Sequence, residues 1–317
     1  MKLTPFIVCG LGSLGLSTAW ADDTVALPDG WNLLRVFTYV RDMTCSSDQV
    51  FVSARADSVH AHDGSSWTQM SDPPEPSDSF DGPRIFALAA GSDGSLYRSW
   101  RRGLFRWDDG EWTQLRFIDW HGEVHGMDVL DTGELIVLGS RRVGLSQDDE
   151  IHSYDSGTWR ELYAVDGPHL VDMWAVGGAG LIQHHSSEGW TQVHQGMERV
   201  SVRMGKGFSG VYSCGADCAW VWDSRDIYRW DGETWSLAPK VASDSYGVVA
   251  MTGSGTHPWI VTGSHVAQWD GDSWSVELDK DELGETDLRF SRACATIDRL
   301  YVLTRDQTVW VRDLSSP

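Results

Sequence analysis

A short turn motif recurs along the 317 residues of the chain. Residues 63–67, 231–235 and 270–274 each read Asp-Gly-x-x-Trp. Asp-Gly favours a tight β-hairpin turn, because glycine adopts positive φ and the aspartate side chain accepts free backbone amides. The tryptophan then begins the next strand and has a large apolar surface to bury. The motif therefore predicts the last hairpin of a repeated antiparallel unit, with its tryptophan packed between neighbouring units.

The spacing of the motif predicts the size of that unit. With looser copies, the tryptophans lie 31 to 47 residues apart, at Trp31, Trp67, Trp112, Trp159, Trp190, Trp235 and Trp274. A repeat of this length is typical of a four-stranded β-propeller blade. Each unit also has an apolar run and an alternating run, both typical of strands. The apolar runs are 50–52, 96–97, 135–138, 173–176, 219–222, 259–261 and 300–303. The alternating runs are 59–62, 104–107, 151–154, 181–184, 227–230, 266–269 and 309–312.

The two ends of the chain predict how such a ring closes. No Asp-Gly-x-x-Trp turn follows residues 309–312, whereas the strand that begins at Trp31 has no strands before it. Pairing these ends in one blade removes free sheet edges. The sequence thus predicts an all-β fold, a seven-bladed β-propeller whose N-terminal strand completes the last blade. Only 15 residues separate Trp159 from Trp174, which predicts that the fourth blade lacks a proper innermost strand and leaves six blades as the alternative.

Residues 173–178 (MWAVGG), residues 181–184 (LIQH) and the three Asp-Gly-x-x-Trp turns carry a family resemblance. With these segments the chain resembles secreted bacterial β-propellers with kelch-like or Asp-box-like blades. Residues 153–159 (SYDSGTW) are one residue short of the Asp-box pattern Ser-x-Asp-x-Gly-x-Thr-Trp. The resemblance implies the fold and no particular activity, because propellers carry many unrelated functions.

The N-terminus and the cysteines predict an exported protein. Lys2, the apolar residues 6–16 and the Ala-x-Ala site at residues 19–21 are typical of a signal peptide over residues 1–21. A single propeller domain then spans residues 22–317, in the periplasm or outside the cell, and no later apolar run is long enough for a membrane span. Four remaining cysteines favour disulfides in such a compartment. Cys45 and Cys294 occupy equivalent places in the first and last blades, so we expect Cys45–Cys294 and Cys214–Cys218.

The charge of the chain excludes one class of partner and draws attention to one set of turns. A net charge of -21 argues against nucleic acid. Arginines nevertheless recur between the second and third strands of the blades, where an excess over aspartate remains only at Arg101, Arg102, Arg141 and Arg142. Guanidinium groups suit carboxylate, sulfate or phosphate. The alternative is local pairing with aspartates in the same turns, which contributes little. Trp100 and Trp120 are expected to be exposed and to stack on sugar rings.

A second group of residues suggests a metal site. His121, Glu123 and His125 would point the same way on an extended segment, as two imidazoles and one carboxylate on a divalent cation would require. Flanking glycines and the lack of a fourth ligand favour a solvated polar loop instead. No cofactor is expected, with this divalent cation as the one exception left open.

These features predict a non-enzymatic binding module that recognises a glycan or a protein on the face carrying the arginines and the longest connections. Those connections are 71–83, 117–126, 139–150 and 193–207. One alternative is a lyase or hydrolase of acidic polysaccharides that uses His121, Glu123 or His125. Another is an interaction scaffold without a small ligand. The ligand and the oligomeric state stay open at this point.

Overall fold

The computed structural model describes residues 30–54, 58–74, 87–100, 103–118, 120, 124–193, 207–242, 247–283 and 289–314. Across these ranges the chain forms 28 β-strands, and its helical segments are two short 3-10 turns, Gly178–Gly180 and Lys280–Leu283. The prediction of an all-β fold is therefore confirmed. None of the described helices has the length and hydrophobicity of a membrane span. The predicted signal peptide lies outside the described residues.

Consecutive strands pair antiparallel in sets of four. The first strands are β2 (Asp42–Cys45), β6 (Leu88–Ala90), β10 (Val124–Val129), β14 (Leu162–His169), β18 (Gly210–Ser213), β22 (Val248–Thr252) and β26 (Phe290–Ala295). The second strands are β3 (Val50–Ser53), β7 (Leu96–Trp100), β11 (Leu135–Gly139), β15 (Asp172–Gly177), β19 (Ala219–Trp222), β23 (Trp259–Thr262) and β27 (Arg299–Thr304).

The third and fourth strands complete these sets. The third strands are β4 (Val59–His62), β8 (Gly103–Asp108), β12 (Arg142–Gln147), β16 (Leu181–Ser186), β20 (Ile227–Trp230), β24 (His265–Trp269) and β28 (Thr308–Asp313). The fourth strands are β5 (Trp67–Gln69), β9 (Glu111–Ile118), β13 (Glu150–Asp155), β17 (Gly189–Gln192), β21 (Trp235–Leu237), β25 (Trp274–Asp279) and, from the N-terminal end, β1 (Trp31–Val36).

Two pairings depart from the chain order. Strand β1 pairs antiparallel with β28, so the last sheet has the order β1-β28-β27-β26. Strands β9 and β13 pair parallel through Arg116–Ile118 and Glu150–His152, which joins two sets into one eight-stranded sheet. The described residues thus form six sheets, five of four strands and one of eight, where the sequence predicted seven separate blades.

Tryptophans fill the space between neighbouring sheets, as the motif predicts. The indole of Trp235 packs edge-on against Trp174 of the preceding sheet, with ring centroids 5.4 Å apart. Trp274 packs against Trp220 of its own preceding sheet with ring centroids 5.3 Å apart and the ring planes inclined at 55°. Trp31 and Trp112 are also buried. Burying such large apolar surfaces is the main favourable contribution to the free energy of folding.

Trp159 is an exception to this packing, and its exposure corrects the strand assignment predicted for the third and fourth sets. It is 75% exposed, because residues 156–161 connect the fourth strand β13 to the next first strand, β14, and not a third strand to a fourth. Residues 151–154 consequently belong to a fourth strand, and the third strand β12 lies within residues 139–150, where a long connection was predicted. The expectation that the fourth set lacks its innermost strand is also wrong, since β14 has eight residues and pairs with β15.

Both disulfides join the cysteines that the sequence pairs. Cys45 at the end of β2 is bonded to Cys294 in β26, with Cα atoms 5.5 Å apart. Cys214 and Cys218 close the turn between β18 and β19, with Cα atoms 5.0 Å apart. The first of these bonds links two first strands that are 249 residues apart in sequence.

Candidate functional site

A cavity of about 770 Å³ lies where the first strands end. Every four-stranded set contributes to its wall through the end of its first strand or the turn that follows. The contributing residues include Ser46, Ser92, Asp131, Asp166, Cys214, Gly253 and Thr296. The size of the cavity falls in the range of binding sites for small molecules and peptide side chains. The cavity therefore lies at the end of the sheets opposite to the turns between second and third strands.

The wall of this cavity is polar and carries three carboxyl groups. Asp128, Asp131 and Asp166 line it together with serine and threonine hydroxyls, and no lysine or arginine is present among the described lining residues. Asp128 lies on β10 and Asp166 on the adjacent first strand, β14. The site thus favours a ligand that carries positive charge and hydrogen-bond donors.

The two inner carboxyls are difficult to ionise. Burial, reinforced by the negative charges of Asp166 and Asp131, raises the pKa of Asp128 well above its ordinary value. Burial likewise raises the pKa of Asp166 to about 7, although the Ser213 and Gly167 amides that it accepts act in the opposite direction. The negative charge of one carboxyl disfavours ionisation of the other, because like charges repel. A cation bound here would favour ionisation of both.

Local backbone geometry fixes Asp166 at the wall. Its Oδ2 accepts the amide of Ser213 on the next first strand, β18, at 2.7 Å. The register of β14 against β15 shifts between Asp166 and His169. Gly167 permits this close approach, because a Cβ at that position would meet the carbonyl oxygen of Asp172 at 2.4 Å. The Gly-Pro pair after Asp166 therefore shapes the wall of the cavity.

Other groups hold the rim in place. The Tyr212 hydroxyl donates to the carbonyl oxygen of Gly255, at 3.0 Å, and so links the β18 and β22 sets. Burial also raises the pKa of Tyr212, which stays a hydrogen-bond donor. Both disulfides reach the rim through Cys45, Cys294 and Cys214. One disulfide and one hydrogen bond thus link neighbouring sets at the opening, and the second disulfide closes a turn within one set.

The arginine turns lie at the other end of the sheets. Arg141 and Arg305 are exposed there, and the Nη1 of Arg142 donates to the Ser153 hydroxyl at 2.6 Å. Arg101 and Arg102 lie outside the described residues. Arg141 and Arg142 are therefore separated from the cavity by the length of a strand.

Of the two tryptophans predicted to stack on sugar rings, the structure describes the side chain of Trp120. Trp120 is only 5% exposed and packs against Phe117 with ring centroids 5.5 Å apart, so the expectation that its ring is accessible is wrong. Its apolar neighbours include Val124 and Ile151. Trp100 ends strand β7, and its side chain lies outside the description.

The predicted metal group is described only in part. His125 lies on β10, and its Nε2 is 2.9 Å from the Ser140 hydroxyl, while His121 and Glu123 lie outside the described residues. Within the described ranges, no three His, Cys, Asp or Glu side chains come together as ligands for one metal ion.

Sequence reasoning missed the aspartates of the cavity. Asp128 and Asp166 come from different repeats and share no motif. The one local signal was the Asp-Gly-Pro run at residues 166–168, which interrupts a strand pattern with residues that favour a change in backbone direction.

Comparisons with known proteins identify solved structures with a similar fold. No protein-family model matches the chain, and the comparison with curated proteins finds no relative. Among solved structures, virginiamycin B lyase from Staphylococcus aureus, in a catalytically inactive form with quinupristin, has 13% identity and a TM-score of 0.69, covering 90% of this chain and 99% of that chain. YCF48 bound to the D1 peptide has 12% identity and a TM-score of 0.66, covering 92% and 99%.

A third similar structure is PorZ, a surface component of the type-IX secretion system of Porphyromonas gingivalis. It has 10% identity and a TM-score of 0.61, and the likeness covers 90% of this chain and 38% of that chain. At such identities the likeness establishes the fold alone. Together with the four-stranded antiparallel sheets, it shows that the chain is a β-propeller.

Proposed function

We propose that this β-propeller is an exported binding module, without catalytic activity of its own, whose cavity holds a positively charged segment of a partner protein. The cavity at the ends of the first strands is the observation that carries the proposal. Its volume accommodates a few residues of peptide, and its three aspartates favour lysine or arginine side chains. The likeness to YCF48, whose structure contains a bound peptide, supports this class of ligand.

The proposal includes a closed ring of seven blades. The eight-stranded sheet is then two blades, β6–β9 and β10–β13, which the parallel β9–β13 pair joins at their outer edges. Contacts between first strands support closure, because β26 lies against both β22 and β2. Asp42 on β2 supports it further, since its carboxylate accepts the Leu88 amide on β6 at 2.9 Å and the Arg292 Nε on β26 at 3.2 Å. In this ring β1 completes the last blade.

Export is also part of the proposal. The two disulfides are consistent with an oxidising compartment. PorZ, one of the structures with this fold, is a bacterial surface component. We therefore keep the signal peptide over residues 1–21 and one propeller domain over residues 22–317 as proposals, in the periplasm or outside the cell. Mass spectrometry of the N-terminus after expression with export identifies the cleavage site.

A binding assay with defined peptides tests the function. We expect a labelled decapeptide with four lysines to bind more tightly than its serine and aspartate counterparts, because the cavity wall is acidic. Asp131→Asn and Ser254→Trp alter the cavity and should each weaken binding at least about fivefold. The matched controls are Asp272→Asn and Ser236→Trp, exposed positions outside the cavity that should leave affinity unchanged. Equal binding of all three peptides, or unaffected binding by both cavity variants, would refute the proposal.

An enzymatic role is the second candidate, favoured by the likeness to a lyase. The sequence-based version of this role is an acidic-polysaccharide lyase or hydrolase that uses His121, Glu123 or His125, with Arg101, Arg102, Arg141 and Arg142 as substrate contacts. Release of unsaturated or reducing products from uronic-acid polymers, lost in His125→Ala, would support this role over simple binding.

A further inference from the structure

Trp159 is exposed to solvent, unlike the other tryptophans whose side chains the structure describes. Its side chain is 75% exposed, whereas every other tryptophan whose side chain the structure describes is buried or half-buried. Tyr154 and Tyr163, close to it in sequence, are 50% and 38% exposed. Large apolar rings that face water are uncommon on a monomer and mark interaction sites when they gather. This corner lies between the third and fourth sets, at the end of the sheets opposite to the cavity.

The segment that carries Trp159 is held firmly on both sides. Ser156 is fully buried, its amide donates to the Arg141 carbonyl at 3.1 Å, and its own carbonyl accepts Nε2 of the buried Gln183 at 3.0 Å. Thr158 is also buried, and its hydroxyl accepts the amide of Arg160 at 3.1 Å. The burial of residues 156 and 158 therefore directs Trp159 outward as a consequence of the fold.

One guanidinium group lies beside the exposed ring, and the backbone of a second arginine is bonded to the same segment. The Arg160 guanidinium lies 5.1 Å from the centroid of the Trp159 ring, and its Nη1 donates to the carbonyl oxygens of Gly178 and Ala179 at 3.3 Å and 2.7 Å. Among the described residues, Nε and Nη2 of Arg160 have no hydrogen-bond acceptor. Arg141 is exposed and forms no ion pair within the described part of the chain, and its carbonyl bond to Ser156 places its backbone at the same corner.

We propose that Trp159, Arg160 and Arg141 form a binding site for an acidic polysaccharide whose sugar rings carry carboxylates. The apolar face of a pyranose ring stacks on the open face of the indole, and the guanidinium donors bind the sugar carboxylate. An exposed aromatic ring with a cation beside it suits a chain of pyranose rings that carry carboxylates. The site is independent of the cavity, so the inference goes beyond the proposed function and does not depend on it.

Calorimetric titration with a uronic-acid oligosaccharide tests the site. We expect oligogalacturonate to bind the wild-type protein, and Trp159→Ala to weaken binding at least about tenfold, because a central aromatic anchor is lost. Arg160→Ala should weaken it about fivefold. Arg305→Ala is the matched control, since Arg305 is exposed in a turn at the same end of the sheets but in a different set. Thermal melting of each variant checks that an exposed substitution leaves the fold intact.

The competing ligands decide the class of partner. A neutral oligosaccharide of equal length should bind more weakly than the uronate, and an aspartate-rich peptide should bind without sensitivity to Trp159→Ala. Preferential binding of the acidic peptide at Trp159 would overturn the proposal in favour of a protein partner. Absence of uronate binding, or equal loss in Arg305→Ala and Arg160→Ala, would overturn it as well.

Discussion

Two aspartates from different repeats set the chemistry of the cavity. Asp128 and Asp166 are 38 residues apart in sequence, yet they lie on adjacent first strands, and the charge of Asp166 disfavours ionisation of Asp128. Burial raises the pKa of both groups, and for Asp166 the value is about 7. The charge of the cavity therefore changes near neutral pH, and with it the attraction for a cationic segment.

The same carboxyl predicts how stability depends on pH. The pKa of Asp166 is about 7 in the folded chain against 3.8 for a free aspartate, so ionisation favours the unfolded state. The folded protein accordingly loses stability as the pH rises from about 4 to about 7. Asp166→Asn keeps an acceptor for the Ser213 amide and removes the charge. We expect this variant to melt roughly 2–5 °C higher than wild type at about pH 8, and close to wild type at about pH 4.

Thermal melts of wild type, Asp166→Asn and the exposed control Asp272→Asn across this pH range provide the measurement. The control should follow wild type throughout. An Asp166→Asn protein that melts no higher than wild type above neutral pH would contradict a raised pKa for the Asp166 carboxyl.

At the same scale, the sequence predicted the turns better than the site. Asp63, Asp231 and Asp270 each accept two backbone amides within their turns, as the Asp-Gly motif implies. This interaction is local, so four consecutive residues are enough to predict it. The approach of Asp128 to Asp166 depends on how two sets pack, which no short segment of sequence encodes.

At the scale of elements, the third strand of one set was assigned to the wrong residues for a physical reason. The turn between β12 and β13 contains Asp148 at a φ of 55° and has no glycine, so it lacks the usual marker of positive φ. Aspartate tolerates this region better than most residues because its side chain bonds locally. The Asp-x-Gly-x-Trp run at residues 155–159 then resembled the missing hairpin turn.

The disulfide between β2 and β26 predicts unequal effects of cysteine removal. Cys45–Cys294 closes a loop of 249 residues, whereas Cys214–Cys218 spans 4 and lies on a turn already held by the Cys214 amide and the Cys218 carbonyl. Chain entropy then gives about 5 kcal/mol for the long loop and about 2 kcal/mol for the short one. We expect the Cys45→Ala/Cys294→Ala variant to lose clearly more stability in urea than Cys214→Ala/Cys218→Ala.

Chemical denaturation of the two double variants against wild type gives both values directly. Equal losses, or a larger loss for the short loop, would contradict the view that the long disulfide ties the first and last sets of the propeller together.

At the scale of the whole molecule, the two ends of the sheets differ in charge and shape. One end holds the acidic cavity, and the other presents Arg141, Arg160 and the exposed Trp159. The sequence identified the arginine turns, because a recurring residue type in recurring turns is visible in a single chain. Sequence reasoning placed the ligand at the arginine end and missed the cavity, because a cavity lined by all the sets exists only in the assembled fold.

The central claim is that a partner's cationic segment occupies the cavity, and hydrogen–deuterium exchange with and without the tetralysine decapeptide tests it most directly. If the peptide occupies the cavity, exchange becomes slower at residues 44–47, 251–255 and 294–297, which line the cavity. Exchange stays unchanged in the turns that contain Arg141 and Arg305, at the opposite end of the sheets. Protection at the arginine turns, or no protection at the cavity under saturating peptide, would contradict the claim.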